Sequence, residues 1–338
     1  MKLVIVVHHR FELWTAPPWL TERLRRDFPQ LEVVQRNSYD GIEQDLSGAE
    51  IAITWSLRPE QLRAAPKLRW IHSPAAAVHQ LLIPEIVASD VLITNARSVH
   101  GPVVAEHVIA VILAMAKLLP SALRWQARRV WAQEQLWQER PRPREIAGAT
   151  LGLIGLGSIG REVARRADAL GMRILAVREH PQKGIDWPVA PATDSGALAH
   201  TVFGPDELDS VLAQADYVVI AAPLTAKTRT LLDAARLARM KPGACLVNVS
   251  RGALVDERAL AEALGSGRIA GAALDVFERE PLPPDSPLWD LENLLITPHS
   301  AALTDKLWER HYALIAQNLR RYLAGEPLLS LVNKQKGY

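Results

Sequence analysis

Short uninterrupted apolar runs alternate with stretches of helical period along the whole chain. Leu3–Val7, Ile51–Trp55, Leu68–Ile71 and Val91–Thr94 predict strands buried on both faces, with helices between them at Trp19–Phe28 and the proline-started Pro59–Ala65. A second series predicts strands at Leu151–Ile154, Arg173–Val177, Tyr217–Ala221, Ala244–Val249, Ile269–Leu274 and Leu294–Thr297. Its helices are predicted at Ile159–Leu170, Pro205–Gln214, Asp233–Met240 and Asp256–Ser266, and a last helix, Asp305–Leu323, stops at Gly325. Continuous apolar strands alternating with helices are the pattern of an α/β protein with parallel sheets. Between the two series a helix is predicted over Val103–Leu119, opened by Gly101-Pro102 and so apolar all round that it should be covered on all sides. The Arg- and Trp-rich stretch Ser121 to Glu145 predicts a surface helix anchored by Trp125, Trp131 and Trp137 and ended by Pro141 and Pro143. Gln182 to Thr201 has no period and reads as an extended loop.

Composition narrows the classes. The chain has 338 residues, about two domains at ~150 residues each. It is 49% hydrophobic and 22% charged, which argues against disorder. Its net charge of +2 supplies no global attraction to nucleic acid or anionic membrane, and Glu134, Glu139 and Glu145 dilute the one arginine-rich stretch. A single cysteine, Cys245, allows no internal disulfide and suits a reducing compartment. The apolar start Leu3–Val7 meets His8-His9-Arg10 too soon for a signal-peptide core, and Val108–Ala116 is far short of a membrane span. A cytoplasmic protein is expected, with neither membrane nor nucleic acid as partner. His8, His9, His107, His200 and His311 show no metal-ligand spacing; they read as structural or surface residues, and no metal is expected.

Chemistry begins at Gly155-Leu156-Gly157-Ser158-Ile159-Gly160, a G-x-G-x-x-G between a predicted strand and a predicted helix. In this context Gly155 serves the tight turn, Gly157 the approach of a pyrophosphate and Gly160 the packing of helix on strand. The N–H groups at Ser158 and Ile159 open the helix toward the anion. After the next strand come Arg178 and Glu179. Arg178 suits a ribose 2′-phosphate and favours NADP(H); Glu179 leaves NAD(H) open, since it can accept from a 2′-hydroxyl.

Three further segments each end a predicted strand: Asn248-Val249-Ser250-Arg251-Gly252, Asp275 to Pro281, and Thr297-Pro298-His299-Ser300. Strand C-termini are where open α/β sheets bind ligands, and these deliver a guanidinium, carboxylates and an imidazole. With Thr150–Gly160 and Ala222-Pro223-Leu224-Thr225 through Thr228, they make the sequence resemble the D-2-hydroxyacid dehydrogenases over most of its length. That family includes 3-phosphoglycerate dehydrogenase, glyoxylate/hydroxypyruvate reductase and formate dehydrogenase. The resemblance implies two Rossmann-like domains with the active site in the cleft between them. A flavodoxin-like substrate domain would comprise residues 1–100 and 301–338, and a dinucleotide-binding domain residues 101–300. It also implies a homodimer, and reduction of a small 2-keto acid to the D-2-hydroxy acid, and the reverse, with NAD(P)H. A dinucleotide-sensing corepressor on the same fold is the alternative.

Roles follow from the resemblance. His299 resembles the general acid/base, for which an imidazole is suited near neutrality, and Glu280 its carboxylate partner. Arg251 resembles the residue that binds the substrate carboxylate and polarises the carbonyl. Asp275 resembles the residue beside the nicotinamide, and Pro223, Thr228, Val249 and Ser250 line the same cofactor. Glu280, a carboxylate where formate dehydrogenases carry an amide, argues for keto acids. Trp70 to His79 resembles the substrate-carboxylate loop, with Ala76 and Ala77 as its contacts; Ala77 replaces a usual glycine and is costly if φ is positive there. Ser73, where phosphoglycerate enzymes resemble one another in carrying a basic residue, argues against a phosphorylated substrate. Trp137 lies near where glyoxylate/hydroxypyruvate reductases send an aromatic into the partner's site. Arg97 and His100 lie near the presumed hinge and carry no assigned role.

Overall fold

The computed structural model describes residues 1–181, 201–335 and 337. They divide into two compact units, one from Met1–His100 with the chain from Leu303 onward, the other from Gly101 through Ala302. The predicted loop over 182–200 lies outside the described residues.

In the first unit five parallel strands, β1 (Lys2–Val6), β2 (Glu32–Arg36), β3 (Ala49–Thr54), β4 (Trp70–Ser73) and β5 (Leu92–Asn95), stand in the order β2-β1-β3-β4-β5. The helices Pro18–Asp27 and Leu307–Leu323 cover one face, over a core that includes Leu3, Ile5, Leu20, Leu24, Trp70, Ile315 and Leu319. The other face buries Val4, Val6, Ile42, Leu46, Ile71, Ile86 and Ile93. The returning chain is tied in where the Val332 N–H donates to Ile93 O at 2.8 Å. The apolar pattern overlooks β2, because an edge strand buries little: within it only Val33 is fully enclosed.

In the second unit seven parallel strands, β6 (Thr150–Ile154), β7 (Arg173–Val177), β8 (Thr201–Phe203), β9 (Tyr217–Ile220), β10 (Cys245–Asn248), β11 (Gly271–Leu274) and β12 (Leu294–Ile296), stand in the order β12-β11-β10-β9-β6-β7-β8. Strand order reverses at β6, the first strand, so its C-terminal end is the switch point where ligands bind. The helices Gly101–Ala116 and Ser158–Ala169 pack on one face and Leu208–Gln214, Ala234–Arg239 and Glu257–Gly265 on the other. Asp233 and Asp256 start their helices as N-caps, accepting from Arg236 N–H and Ala259 N–H, and therefore stand just outside them. Cys245 is buried.

Two expectations between the series are corrected. The long helix ends at Ala116, and Leu118 at φ 54° turns the chain into a second helix, Leu119–Ala127. Ser121 to Glu145 is not one helix: Arg129, at φ 60°, breaks it, and Gln133–Gln138 follows as a separate short helix. Trp131 is 90% exposed and Trp137 57% exposed, so neither anchors this segment within the chain. No single described helix is long and apolar enough to cross a membrane.

Candidate active site

The dinucleotide loop leaves β6 at the switch point. Gly155 takes φ 99°, and a Cβ there would meet the Ala221–Ala222 backbone at 2.7 Å; a Cβ on Gly160 would meet Gly155 O at 2.1 Å. These two positions let the loop turn and the helix seat on the strand, whereas nothing within 4 Å faces Gly157. Gly157 is the N-cap of the helix begun by Ser158, and Ile159 packs partly against the core. The parallel loop after β9 is self-tied: Thr228 Oγ1 donates to Pro223 O at 2.7 Å and accepts from Thr225 N–H at 2.8 Å. After β7, the Arg178 N–H donates to Phe203 O at 3.1 Å, and Glu179 Oε1 lies 3.7 Å from Lys227 Nζ. Burial lowers the pKa of Arg161, the Arg178 charge adds to that, and Glu162 opposes it.

The three other strand ends hold one another. Asn248, the last residue of β10, donates through Nδ2 to Arg251 O at 2.9 Å and accepts at Oδ1 from Ser250 N–H at 3.1 Å. Ser250 Oγ donates to Ala222 O, Val249 is buried, and Arg251, exposed, donates through Nη1 to Ser250 O at 2.6 Å. A Cβ on Gly252 would lie 1.9 Å from the carbonyl carbon of Phe277 and 2.2 Å from Glu278 N. The arginine loop therefore lies directly on the turn that carries Glu280, and only glycine fits.

That turn presents the acid to the imidazole. Glu280 Oε1 accepts from its own Phe277 N–H at 3.0 Å, and Oε2 lies 2.7 Å from His299 Nδ1. His299 has φ 51°, in the left-handed region, and its N–H donates to Asp275 O at 2.9 Å. The buried Asp275 carboxylate staples the same loop, with Oδ1 accepting from Thr297 Oγ1 at 2.6 Å and Ser300 N–H at 2.8 Å, and Oδ2 from Ala301 N–H at 3.0 Å. Thr297 Oγ1 also lies 3.3 Å from Nε2 of His107, which burial pushes down against the opposing charge of Asp275. Asn248 and Thr297 are the supports that sequence reasoning left without roles. Their signal is a polar side chain at the end of a buried strand, where a buried hydrogen-bonding group needs a partner.

The Trp70 to His79 loop belongs to the first unit. Ser73 is buried and its Oγ accepts from Ala75 N–H at 3.2 Å, while Ala75 O accepts from Ala96 N–H and Ala76 O from Asn95 Nδ2. Among the described residues, the non-glycine positions of positive φ are Leu118, Arg129, Thr230, His299 and Ser330, so Ala77 carries no left-handed strain in place of the usual glycine.

A carboxylate–imidazole pair, a neighbouring arginine loop and a glycine-rich switch point together suit hydride transfer to a carbonyl. The family model for the D-isomer specific 2-hydroxyacid dehydrogenase NAD binding domain matches residues 109–301. The chain belongs to this family. A glyoxylate reductase of Korarchaeum cryptofilum is 35% identical over 292 residues, 84% of this chain and 81% of that protein. A D-3-phosphoglycerate dehydrogenase of Methanocaldococcus jannaschii is 31% identical, and the chain spans 57% of its length. A D-isomer specific 2-hydroxyacid dehydrogenase from Xanthobacter autotrophicus, solved with NADPH and MES, superposes with a TM-score of 0.80 at 31% identity, covering 100% of this chain and 99% of that one. An NADPH-dependent glyoxylate/hydroxypyruvate reductase from Sinorhizobium meliloti, solved with NADP and sulfate, gives 0.78 at 27% identity with both chains fully covered. As a member, the protein is an NAD(P)-dependent oxidoreductase of 2-keto and 2-hydroxy acids. Nothing in these relatives supports the corepressor alternative.

Proposed function

We propose that this dehydrogenase reduces a small unphosphorylated 2-keto acid, of the size of glyoxylate or hydroxypyruvate, and prefers NADPH. The 2.7 Å pair of Glu280 Oε2 and His299 Nδ1 carries the reading. The carboxylate fixes the ring through Nδ1, so Nε2 is the nitrogen that gives its proton to the ketone oxygen and recovers it in the reverse direction. Arg251 binds the substrate carboxylate and polarises the carbonyl. The dinucleotide supplies the hydride when bound. Gly155, Gly157 and Gly160 with the N–H groups at Ser158 and Ile159 hold its pyrophosphate, and Pro223, Thr228, Val249 and Ser250 line its nicotinamide half. Asp275 has three of its roughly four acceptor positions filled, and the remaining one suits a carboxamide N–H.

The NADPH preference rests on Arg178, a cation just past the end of β7 for a 2′-phosphate dianion, while Glu179 Oε1 lies 3.7 Å from Lys227 Nζ. The absence of phosphate on the substrate rests on Ser73, buried and tied into its own loop. A homodimer through the second unit accounts for the exposed Leu119, Leu123, Val130, Trp131 and Trp137. A cytoplasmic setting suits the lone buried thiol, Cys245. The test is NADPH and NADH oxidation measured separately with glyoxylate, hydroxypyruvate, phenylpyruvate and 3-phosphohydroxypyruvate. Turnover confined to 3-phosphohydroxypyruvate, or to NADH, refutes the proposal.

A further inference from the structure

Helix Glu257–Gly265 begins behind the turn that carries Glu280, and its first residue, Glu257, accepts from Glu278 N–H through Oε1 at 2.5 Å. Glu280 Oε1 accepts from the preceding N–H of the same turn, that of Phe277, at 3.0 Å. Two carboxylates thus hold consecutive N–H groups, one from within the turn and one from outside it. The Gly252 backbone closes the turn's remaining side. A turn fixed at two N–H groups and packed on a third strand end has little freedom, and Glu280 Oε2 is left directed at His299 Nδ1.

We infer that Glu257 is a positioning residue for the reduction: it clamps Glu278 so that Glu280 meets His299. The inference rests on His299 being the acid/base group of the proposed reaction. The charged groups that bear on Glu257 are Glu278 and Glu280, both on the turn. On its own helix, Arg258 faces Glu262 instead, at 3.3 Å. Burial and the two neighbouring carboxylates raise the pKa of Glu257, against the pull of the Glu278 N–H, as expected of acids gathered around one turn.

The test uses the full chain with Glu257→Gln, Glu257→Ala and the control Glu262→Gln. Gln retains an acceptor for Glu278 N–H and removes the charge; Ala removes both. In Glu257→Gln, kcat with glyoxylate stays within about twofold of the wild type, because the acceptor for Glu278 N–H is kept. In Glu257→Ala, kcat falls about 5–20-fold with the keto-acid KM within about twofold, and Glu262→Gln leaves both unchanged. Hydrogen exchange at the Glu278 amide, followed by NMR in the cofactor-free protein, is faster in Glu257→Ala and near wild type in Glu257→Gln. Wild-type kcat in Glu257→Ala, or a loss in Glu257→Gln as large as in Glu257→Ala, overturns the inference. If the wild type does not reduce glyoxylate, the proposed function fails, and the amide exchange still decides whether Glu257 clamps the turn.

Discussion

The first unit buries histidines that it cannot charge. His72 is fully enclosed, its Nδ1 2.9 Å from Thr94 Oγ1 and its Nε2 without a hydrogen-bond partner among the described residues. His311 is 1% exposed, its ring tilted by 40° at 4.9 Å from that of Trp308 and edge-on to His100 at 5.9 Å. Burial lowers His72 from 6.5 to about 3 and holds His311 well below its ordinary value; His100, beside Arg310, is lowered to about 4. In the folded chain these rings stay neutral as the pH falls, while in the unfolded chain they take up protons below 6.5. Their contribution is therefore complete above pH 6.5 and is lost on acidification toward the folded pKa values. Keeping the His72 ring neutral costs about 1 kcal/mol by pH 5.5 and about 3 kcal/mol by pH 4.5, and His311 acts in the same direction. That is a large share of a stability of about 5–15 kcal/mol. Urea unfolding, followed by tryptophan fluorescence at several pH values from about 7.5 to about 4.5, measures the slope. His72→Asn should flatten that slope by about one proton, or 1.4 kcal/mol per pH unit. A stability that stays level between pH 7 and pH 5, or an unchanged slope in His72→Asn, would refute the reasoning.

Three further outcomes are expected. Glu280→Gln removes the charge 2.7 Å from His299 Nδ1 and should lower kcat/KM about 10–100-fold in steady-state assays with little change in melting temperature. Arg178→Ala should raise the KM for NADPH about 10–100-fold and that for NADH no more than about threefold; an equal loss for both removes the 2′-phosphate assignment. Gly252→Ala places a Cβ 1.9 Å from Phe277 C, so the arginine loop and the Glu280 turn must separate. A loss of about 2–3 kcal/mol is expected, a drop of roughly 4–12 °C by calorimetry, together with a kcat reduced at least about tenfold.

The sequence by itself determined the alternation of buried strands and helices, the glycine loop after β6, and the identities of Arg251, Glu280 and His299. Buried parallel strands need continuous apolar runs, and a pyrophosphate loop needs glycines at fixed spacing, so both are written locally. It left out β2, whose residues are half polar because an edge strand has little to bury, and it joined two helices across Arg129, whose positive φ no local pattern announces. Which oxygen of Glu280 faces His299, that Gly252 is a spacer between two loops, and that Asp275, Thr297 and His107 form one support were decided only by the tertiary structure. These partners lie between 19 and 190 residues apart along the chain. Hydrogen bonds and close approaches at such separations depend on strand order, and strand order is set by how the sheets pack rather than by any short stretch of residues.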